Sequence, residues 1–422
     1  MLASLPFGIN EKALAKPDHK ASKSENIKSI SSSSAHFTWH ILSKQCSNLS
    51  ENQNCLFAPY ALAPSLIYLS GYAHGNTQEA LWRVLGYRQT STEDTFPRLP
   101  SIDEDRVMHF RSSLWYELPQ PPDIKILHAS SAYPRFDWQG IKSDGETIET
   151  RKTLQDWLNH GYQYDYEDHS NQTKLSELEF GSITSAATFS LDLEQKVTKA
   201  SPRPFYDSKT NLAYLHRTGK MLYREGKNYQ AVLLSLSGRD KELILILPKA
   251  KTRSVLTPFM GSKSALKDAT ELAKTFRHAD EWQKLLKGMK VLKGSLYFPA
   301  LKTRSEEELS NALSESGMAV AFTSGSDFGD LKDAADNALK LSQIWQFVGI
   351  ETETASSPEP HSKKNQKNLI KPKTATISGE KPAVNRSFLM NIDRPFLIVI
   401  IDRKSGEILL GGVIANPFRQ DY

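Results

Sequence analysis

An internal segment without a hydrophobic pattern constrains the fold of this 422-residue chain more than any other feature. Between Glu351 and Arg386 the sequence contains four prolines, six lysines and hardly any large apolar side chains. Apolar runs precede and follow the segment, so it is an internal loop and not a terminal tail. A loop this long in a compact domain is usually functional or disordered. The chain must therefore fold around one long loop near its C-terminus.

Strand patterns occur on both sides of this loop. The run KELILILP at 241–248 is typical of a strand buried on both faces, and it predicts the second of two strands within 230–248. After the loop, FLIVII at 396–401, a DRKSG turn and EILLGGVI predict a hairpin. SSLWYEL at 112–118 and the small-residue run FGSITSAATFSLDL predict two further strands.

Helical patterns occur mainly before residue 90. AHFTWHILSKQC places Phe37 and Ile41 one turn apart, and LFAPYALAPSLIYLSGYA is an apolar run that predicts a buried helix. GNTQEALWRVLGY has Asn76 three residues before Glu79, which is the capping-box spacing of a helix start. TLQDWLN at 153–159 predicts a short amphipathic helix.

A second capping-box spacing occurs late in the chain. Ser305 and Glu308 precede an apolar pair, Leu309 and Leu313, and Gly317 follows as the C-cap. We therefore expect a helix to begin at Ser305.

Composition divides the chain into a tail and a domain. Residues 1–34 are rich in Lys, Ser and Ala, and such a segment cannot bury enough apolar surface to offset the entropy of ordering it. We predict a disordered tail over 1–34 and a single domain over 35–422. At 39% hydrophobic and 24% charged residues, a chain this long can bury a core without cross-links.

The two cysteines, Cys46 and Cys55, exclude a disulfide-rich scaffold and have no zinc-site spacing. A bridge between them is possible, but nothing in the sequence supports it. We favour two thiols, one in a helix and one in the loop that follows.

Charge and motifs argue against several functional classes. The net charge of +5 is small for the length, so we expect neither a nucleic-acid nor a membrane partner, and we expect a monomer. Ser264 and Lys267 fit a Ser-x-x-Lys pattern, but its partner motifs are absent, as are hydrolase, zinc-protease, phosphate-loop and calcium-loop motifs. We therefore expect no enzymatic activity and no cofactor.

Targeting signals are not recognisable either. No apolar run has the length of a membrane span, and the start MLASLPFGIN lacks the basic and apolar regions of a secretory signal. The compartment stays open between the cytoplasm and export by a non-classical route.

Six sequence blocks, in order over residues 35–422, resemble the serpin family. They are FAPYALAPSLIYLSGYAHGNTQEALWRVLGY (57–87), SSLWYE, LQDWL, KELILILP, the block 296–331 that ends in SDFGDL, and DRPFLIVIIDRKSGEILLGGVIANP (393–417). The last block is the most specific. The resemblance implies an α+β serpin fold with a large mixed main sheet, further sheets, about eight or nine helices and an exposed reactive loop over about 353–387.

The resemblance also implies an activity. Inhibitory serpins present a bait peptide bond to a serine protease, and after cleavage the loop inserts as a new strand in the main sheet and disables the enzyme. The corresponding expectation is a serine-type endopeptidase inhibitor that acts as a suicide substrate. The partner expected from a basic loop is a trypsin-like serine protease or another acidic protein.

The bait bond is located by counting back from Arg394-Pro395-Phe396. Arg386–Ser387 is the first choice, because an arginine fits an acidic specificity pocket. Val384–Asn385 is the second choice, because Arg386 is slightly too close to the Pro-Phe block.

The loop hinge departs from the family pattern, in which Glu-Glu-Gly-Thr-Glu-Ala is usual. The aligned hinge residues here are Ile350, Glu351, Thr352, Glu353, Thr354 and Ala355. Glu353 would face inward on insertion, where an unpaired carboxylate is costly. Pro358 and Pro360 lack the N–H groups that a central strand uses.

The region that opens the sheet departs as well, since the family's Ser-Pro-x-Ser is represented by Ala58, Pro59, Tyr60 and Ala61. Both departures favour an alternative function, a non-inhibitory serpin that binds a partner through its basic loop.

Overall fold

The computed structural model describes residues 35–50, 53–86, 108–118, 136–142, 154, 156–158, 181–206, 211–237, 240–249, 261–329, 331–332, 338–352 and 387–418. Its helices are α1 (35–45, extended by a 3-10 turn at Cys46–Asn48), α2 (Pro59–Ser70), α3 (Gly75–Val84), α4 (Gly261–Phe276), α5 (Ala279–Lys287) and α6 (Ser310–Leu313), with a helical turn at 156–158.

Fourteen strands are present in the described residues. They are β1 (Cys55–Phe57), β2 (Met108–Leu118), β3 (Phe136–Lys142), β4 (Ile183–Leu191), β5 (Thr198–Pro204), β6 (Asn211–Glu225), β7 (Tyr229–Ser235), β8 (Lys241–Pro248), β9 (Lys290–Pro299), β10 (Lys302–Glu308), β11 (Ile344–Thr352), β12 (Ser387–Asn391), β13 (Phe396–Asp402) and β14 (Ile408–Ile414).

The strands form two sheets. The larger, nine-stranded sheet has the order β1-β14-β13-β8-β7-β6-β9-β12, with β5 paired to β6. The smaller sheet has the order β10-β11-β4-β2-β3, in which β11 and β4 are parallel, as are β2 and β3, and the other pairs are antiparallel. The fold is therefore α+β with mixed sheets, as the resemblance implied.

Helix α2 forms the centre of the molecule. All twelve of its residues are buried, because the helix is apolar on every side and packs against β2, β4, β14 and α3. It begins at Pro59, a proline at the first helical position, where the missing N–H costs nothing. The helix therefore contacts both sheets and contributes side chains to the two large apolar clusters of the protein.

The strands predicted from long apolar runs are confirmed. All residues of β8, β13 and β14 are buried, and β13 pairs with both of the others. The two strands expected within 230–248, the strand at 112–118 and the small-residue strand β4 also form.

Both predicted capping boxes are wrong. Helix α3 begins at Gly75 with His74 as its N-cap, so Asn76 and Glu79 lie inside the helix. The pattern failed because tertiary contacts set the helix start: the His74 N–H donates to the Asp327 carbonyl, and the Thr77 hydroxyl accepts the Asp327 N–H.

The second helix start is displaced for a similar reason. Ser305 and Glu308 belong to strand β10, whose ladder with β11 overrides the local pattern, and α6 begins at Ser310. The Glu308 carboxylate still accepts the Ser310 N–H at 2.9 Å. Gly317 has φ +108°, and helical geometry is interrupted there, as the C-cap assignment requires.

The cysteines are not free thiols, which corrects the expectation from sequence. Cys46 and Cys55 form a disulfide with their Cα atoms 5.7 Å apart, and both residues are buried. The bridge joins the turn after α1 to the first residue of β1. The sequence offered no signal for it, because only the fold brings the end of α1 onto β1.

Several predictions fall on residues outside the described ranges. The tail 1–34, the loop 353–386 and most of the helix predicted at 153–159 are among them, and the count of eight or nine helices also stays a prediction. Within the described residues, no helix has the length and apolar character needed to span a membrane.

Candidate functional site

The centre of the five-stranded sheet is a parallel pair of strands, which we call the seam. Strands β11 and β4 are in register over nine residues, from Ile344 opposite Ile183 to Thr352 opposite Leu191. No strand lies between them in the described sheet. The seam ends at Thr352, and the segment predicted from the sequence to be the long loop follows it.

The two faces of the seam are covered differently. On the inner face, Val348 and Ile350 of β11 pack with Ala187 and Phe189 of β4 in the main core. On the outer face, a separate apolar cluster covers the lower half of the seam; its members are Trp115, Leu154, Trp157, Leu158, Ala186, Trp345 and Phe347. Toward Thr352 the outer face carries Gly349 and Glu351, which are only partly buried.

A polar row crosses the inner face of the sheet at one register. Glu307, Gln346, Ser185 and Ser112 lie directly beside one another on β10, β11, β4 and β2. The last three are fully buried. Buried polar groups are costly unless they are hydrogen-bonded. The hydrogen bonds made by these four side chains therefore determine how much the row stabilises the five-stranded sheet.

Gln346 makes the central connection of the row. Its Oε1 accepts the Ala58 N–H at 2.7 Å, and its Nε2 donates to the Ala58 carbonyl at 3.0 Å and to Ser185 Oγ at 3.0 Å. One amide therefore satisfies both backbone groups of the residue before α2 and also connects β11 to β4. Separation of the seam would break this connection.

The predicted sheet-opening residues lie against this row. Ala58 is the N-cap of α2 without a side-chain cap, Pro59 is the first helical residue, and Ala61 is buried in the next turn. Neither Ala58 nor Ala61 has a hydroxyl group, and the side chain that hydrogen-bonds to the start of α2 is Gln346. Further along α2, Ser65 Oγ is hydrogen-bonded to Ser112 Oγ, which connects the helix to β2.

At the other end of the row, Glu307 lies beside α1. Its carboxylate accepts hydrogen bonds from Gln45 Nε2 at 2.7 Å and Ser305 Oγ at 2.8 Å. Burial raises the pKa of the Glu307 carboxyl, and these two hydrogen bonds oppose the shift.

Thr352 is fixed at the point where the loop begins. Its N–H donates to the Leu301 carbonyl at 2.8 Å, and its hydroxyl donates to the same carbonyl at 3.1 Å. The hydroxyl also accepts the Leu301 N–H. Thr352 is buried, so this contact, which we call the Thr352–Leu301 clamp, holds the end of β11 onto the turn between β9 and β10.

The opposite end of the seam is also tied. Ser182 Oγ and Ser342 Oγ are 2.8 Å apart, and the Ile183 N–H donates to the Gln343 carbonyl at 2.8 Å. Side-chain contacts therefore cross the seam at its start and near its middle, whereas the Thr352–Leu301 clamp ties the end of β11 to the β10 side of the sheet.

The other predicted hinge and bait residues are only partly described. Ile350 is buried and Glu351 is half-buried next to Lys302 in the ladder with β10. Glu353, Thr354, Ala355, Val384, Asn385 and Arg386 lie outside the described residues. Ser387 is exposed and is the first residue of β12, where it pairs with Lys293 of β9.

Sequence reasoning missed Gln346, Ser185 and Leu301. Gln346 carried a detectable signal, because it is the one strongly polar side chain in the apolar run IWQFVGI. Ser185 and Leu301 carried none. Among the described residues, no three His, Cys, Asp or Glu side chains converge as metal ligands.

Comparison with known proteins agrees with this architecture. The family model described as Serpin (serine protease inhibitor) matches residues 32–417, and the chain belongs to that family. An uncharacterized serpin-like protein of Methanosarcina acetivorans is 19% identical over 380 residues, covering 87% of this chain and 82% of its own. Human thyroxine-binding globulin is 22% identical over 422 residues, and the match covers 94% of this chain and 92% of the globulin.

A solved structure supports the fold alone. The crystal structure of mouse protein-Z dependent protease inhibitor superposes with a TM-score of 0.67 and 15% identity, covering 96% of this chain and 100% of the mouse chain. The similar proteins thus include one named as a protease inhibitor and one named for binding a small molecule.

Proposed function

We propose that this protein inhibits a trypsin-like serine protease as a suicide substrate, with the segment 353–387 as bait and the seam as the site that receives it. The observation that carries the proposal is the position of the seam: two parallel strands meet in the middle of a mixed sheet, and the loop begins where they end.

The connectivity supports insertion. A chain that turns back after Thr352 and enters the seam would run antiparallel to both β11 and β4. One parallel pair would then be replaced by two antiparallel pairs, and antiparallel pairing is slightly more stable per residue. The closed sheet is therefore in a state that an additional strand can stabilise.

The length of the loop also suffices. A nine-residue strand spans about 30 Å at about 3.3 Å per residue. The segment from 353 to 386 provides several times that number of residues. Part of it can fill the seam after cleavage, while the remainder stays outside.

The bait bond has two candidates that differ in their distance from the sheet. A cut at Arg386–Ser387 places the first residue after the cut inside β12, paired to β9. A cut at Val384–Asn385 leaves two more residues outside the ladder, which gives a protease cleft more room. Arginine chemistry favours the first bond and accessibility favours the second, so the mass of the C-terminal fragment decides between them.

A second candidate function is binding without inhibition. It is favoured by Glu353, Pro358 and Pro360, which hinder a loop that must enter the sheet quickly. The proline argument holds for either face of the inserted strand, because a central strand uses its N–H groups on both sides. In this case the loop would dock onto an acidic protein and be cut as an ordinary substrate.

The disulfide helps to infer the cellular compartment in which the protein functions. Disulfides persist in oxidising environments and are rare in the cytosol of most cells. The buried Cys46–Cys55 bridge supports export to an oxidising compartment and argues against the cytoplasmic alternative.

The test of inhibition is a mixture of the purified protein with active trypsin, analysed on a denaturing gel. A band that contains both proteins and resists boiling in detergent supports the suicide-substrate mechanism. Trypsin inactivated at its catalytic serine is the control and gives no such band. Cleavage of the loop without a covalent band would support the binding function instead.

A further inference from the structure

Three adjacent strands present a basic row on the exposed face of the nine-stranded sheet. Lys220 of β6 lies directly opposite Lys293 of β9, and Ser387 of β12 lies on the other side of Lys293. All three side chains are exposed. The neighbouring strands are about 4.8 Å apart, so the row is about 10 Å long.

Among the described residues, no acidic side chain neutralises the charges of these two lysines. Like charges directly opposite each other on a sheet are destabilising. Within the described part of the chain, neither lysine forms an ion pair, and Glu225 at the end of β6 is already paired with Lys249. An unneutralised pair that lowers stability indicates an external acidic partner.

Apolar side chains lie on both sides of the basic row. Val291 is 62% exposed two residues before Lys293, and Leu389 is 64% exposed two residues after Ser387. Residues two apart on a strand share a face at a spacing of about 7 Å. We call the four side chains Val291, Lys220, Lys293 and Leu389 the docking face.

The docking face is held rigidly from beneath. The Phe388 ring stacks on Tyr223 with centroids 4.0 Å apart, and it occupies the space where a side chain at Gly294 would lie. Gln230 Nε2 donates to the Leu389 carbonyl at 3.2 Å. Leu389 is therefore exposed on a fixed strand, as a preorganised contact requires.

Chain connectivity places the docking face beside the bait bonds. Ser387 belongs to one candidate bond, and Asn385 of the other is at most about 7 Å further along the chain. Any protease that cuts either bond must cover Ser387 and approach Lys293. The face is thus continuous with the interface that the proposed function requires.

Charge excludes two other occupants. Residues 361–387 of the loop carry seven Lys or Arg and one Glu, so the loop would be repelled by the docking face. A second copy of this chain, with a net charge of +5, gains no attraction either. A sulfated polysaccharide would match the lysines, but it would gain nothing from Val291 and Leu389.

We propose that the docking face binds an acidic surface, with apolar residues on both sides of it, beside the active-site cleft of the target serine protease. This inference rests on the proposed function, because it requires that a protease approaches the loop. The lysines accelerate encounter, and Val291 and Leu389 bury apolar surface on the two sides of the basic row.

The test compares loop cleavage by an anionic and a cationic trypsin, which share a specificity but differ in surface charge. The variants are Lys220→Glu/Lys293→Glu and Leu389→Ser, and the matched control is Lys267→Glu/Lys340→Glu, which makes the same charge change at exposed sites away from the face. The readout is the second-order rate at which a fragment cut within 353–387 appears.

At low salt, the double reversal on the face slows the anionic trypsin about tenfold, and the control variant changes the rate less than about twofold. The difference shrinks at 1 M salt, where the screening length is about 3 Å. Leu389→Ser slows the anionic enzyme about fivefold at both salt concentrations. The cationic trypsin is not slowed by the charge reversal.

Equal rates for the face and control variants would overturn the proposal. So would loss of retention on immobilised heparin in the face variant while its cleavage rates stay unchanged, because the face would then be a polysaccharide site. The cleavage rate can be measured without a covalent complex. The docking face can therefore be tested even if the protein does not act as a suicide substrate. A covalent complex that forms equally fast in the face variant would overturn the docking face and retain inhibition.

Discussion

A single glutamine connects the two strands that the proposed mechanism must separate. Gln346 is fully buried, and its amide hydrogen-bonds to both backbone groups of Ala58 and to the Ser185 hydroxyl. A buried polar group without a partner costs about 1–3 kcal/mol. The side chain therefore stabilises the closed sheet, and its loss favours the open one.

Replacement of Gln346 by alanine is expected to lower the free energy of unfolding by about 2–4 kcal/mol, because it leaves the Ala58 N–H without its acceptor, removes one of the donors to the Ala58 carbonyl and creates a cavity. Urea unfolding followed by tryptophan fluorescence measures the change. The half-exposed Gln283→Ala on α5 is the control and changes stability by less than about 0.5 kcal/mol. Equal effects of the two substitutions would contradict the role given to Gln346.

The Thr352–Leu301 clamp makes a separate prediction. Thr352→Val keeps the shape of the side chain but leaves the Leu301 N–H without its acceptor, whereas Thr352→Ser keeps the hydroxyl. The valine variant is expected to lose about 1–3 kcal/mol of stability in the intact protein and to insert its cleaved loop faster. The serine variant should resemble the wild type. If serine and valine behave alike, the hydroxyl does not hold the hinge.

How far the sequence predicts the site differs from residue to residue. The position of Thr352 at the end of an apolar strand follows from the pattern IWQFVGI, which a strand requires. The partners of Gln346 do not follow, because Ala58 is 288 residues away in the sequence and only the packed fold brings it close. Local patterns specify elements, whereas contacts between distant elements require the topology.

At the scale of elements, the disulfide fixes the strand that precedes α2. Cys55 begins β1, and three residues later Ala58 contacts Gln346, so the bridge anchors the same segment that closes the seam. A bridge that closes a short loop stabilises a protein mainly by restricting the unfolded chain.

Replacement of both cysteines by alanine is expected to lower the free energy of unfolding by about 2–3 kcal/mol, as the loop-closure relation gives for a separation of nine residues. Thermal melting with and without reductant measures it. Reductant should lower the melting temperature of the wild type and leave the double variant unchanged. Two thiols that react with a maleimide in the unfolded, unreduced protein would show that the bridge is not formed.

The segment that is proposed to insert into the seam gives a further prediction. Glu353→Thr with Pro358→Ala and Pro360→Ala removes a carboxylate that would be buried and restores two N–H donors for the ladders. We expect more covalent complex per molecule of protein cleaved, measured as a lower ratio of protein to trypsin needed for complete inhibition. The control is Pro372→Ala with Pro382→Ala, later in the loop. An unchanged ratio would show that these residues do not limit insertion.

Some strands and helices could be predicted from the sequence, and the ends of others could not. Strands β8 and β13 were predicted because each contains a continuous run of six apolar residues, 243–248 and 396–401, and a sheet covered on both faces selects that composition. The helix start at Ser305 was wrong because the β10–β11 ladder contributes seven backbone pairs that a local capping pattern does not reveal. Tertiary pairing therefore overrides short-range signals at element ends.

At the scale of the whole molecule, the proposed inhibitor has a sheet that is held closed although an alternative with one more strand is more stable. Polar contacts at Ser182 and Gln346 oppose the opening of the seam, whereas two new antiparallel ladders would favour it. Under the proposed inhibitory function, we expect Pro358 and Pro360 to slow insertion without preventing it, so that part of the protein is cleaved without trapping the protease although the cleaved loop still enters the sheet.

Thermal melting before and after cleavage within 353–387 tests this claim most directly. An inserted strand adds several ladder hydrogen bonds and buries apolar surface, so the cleaved protein is predicted to melt about 10 °C higher than the intact protein. The reference sample is intact protein carried through the same incubation with inactivated trypsin. An unchanged or lower melting temperature after a clean cut in the loop would show that the loop does not enter the seam, and the inhibitory account would be wrong.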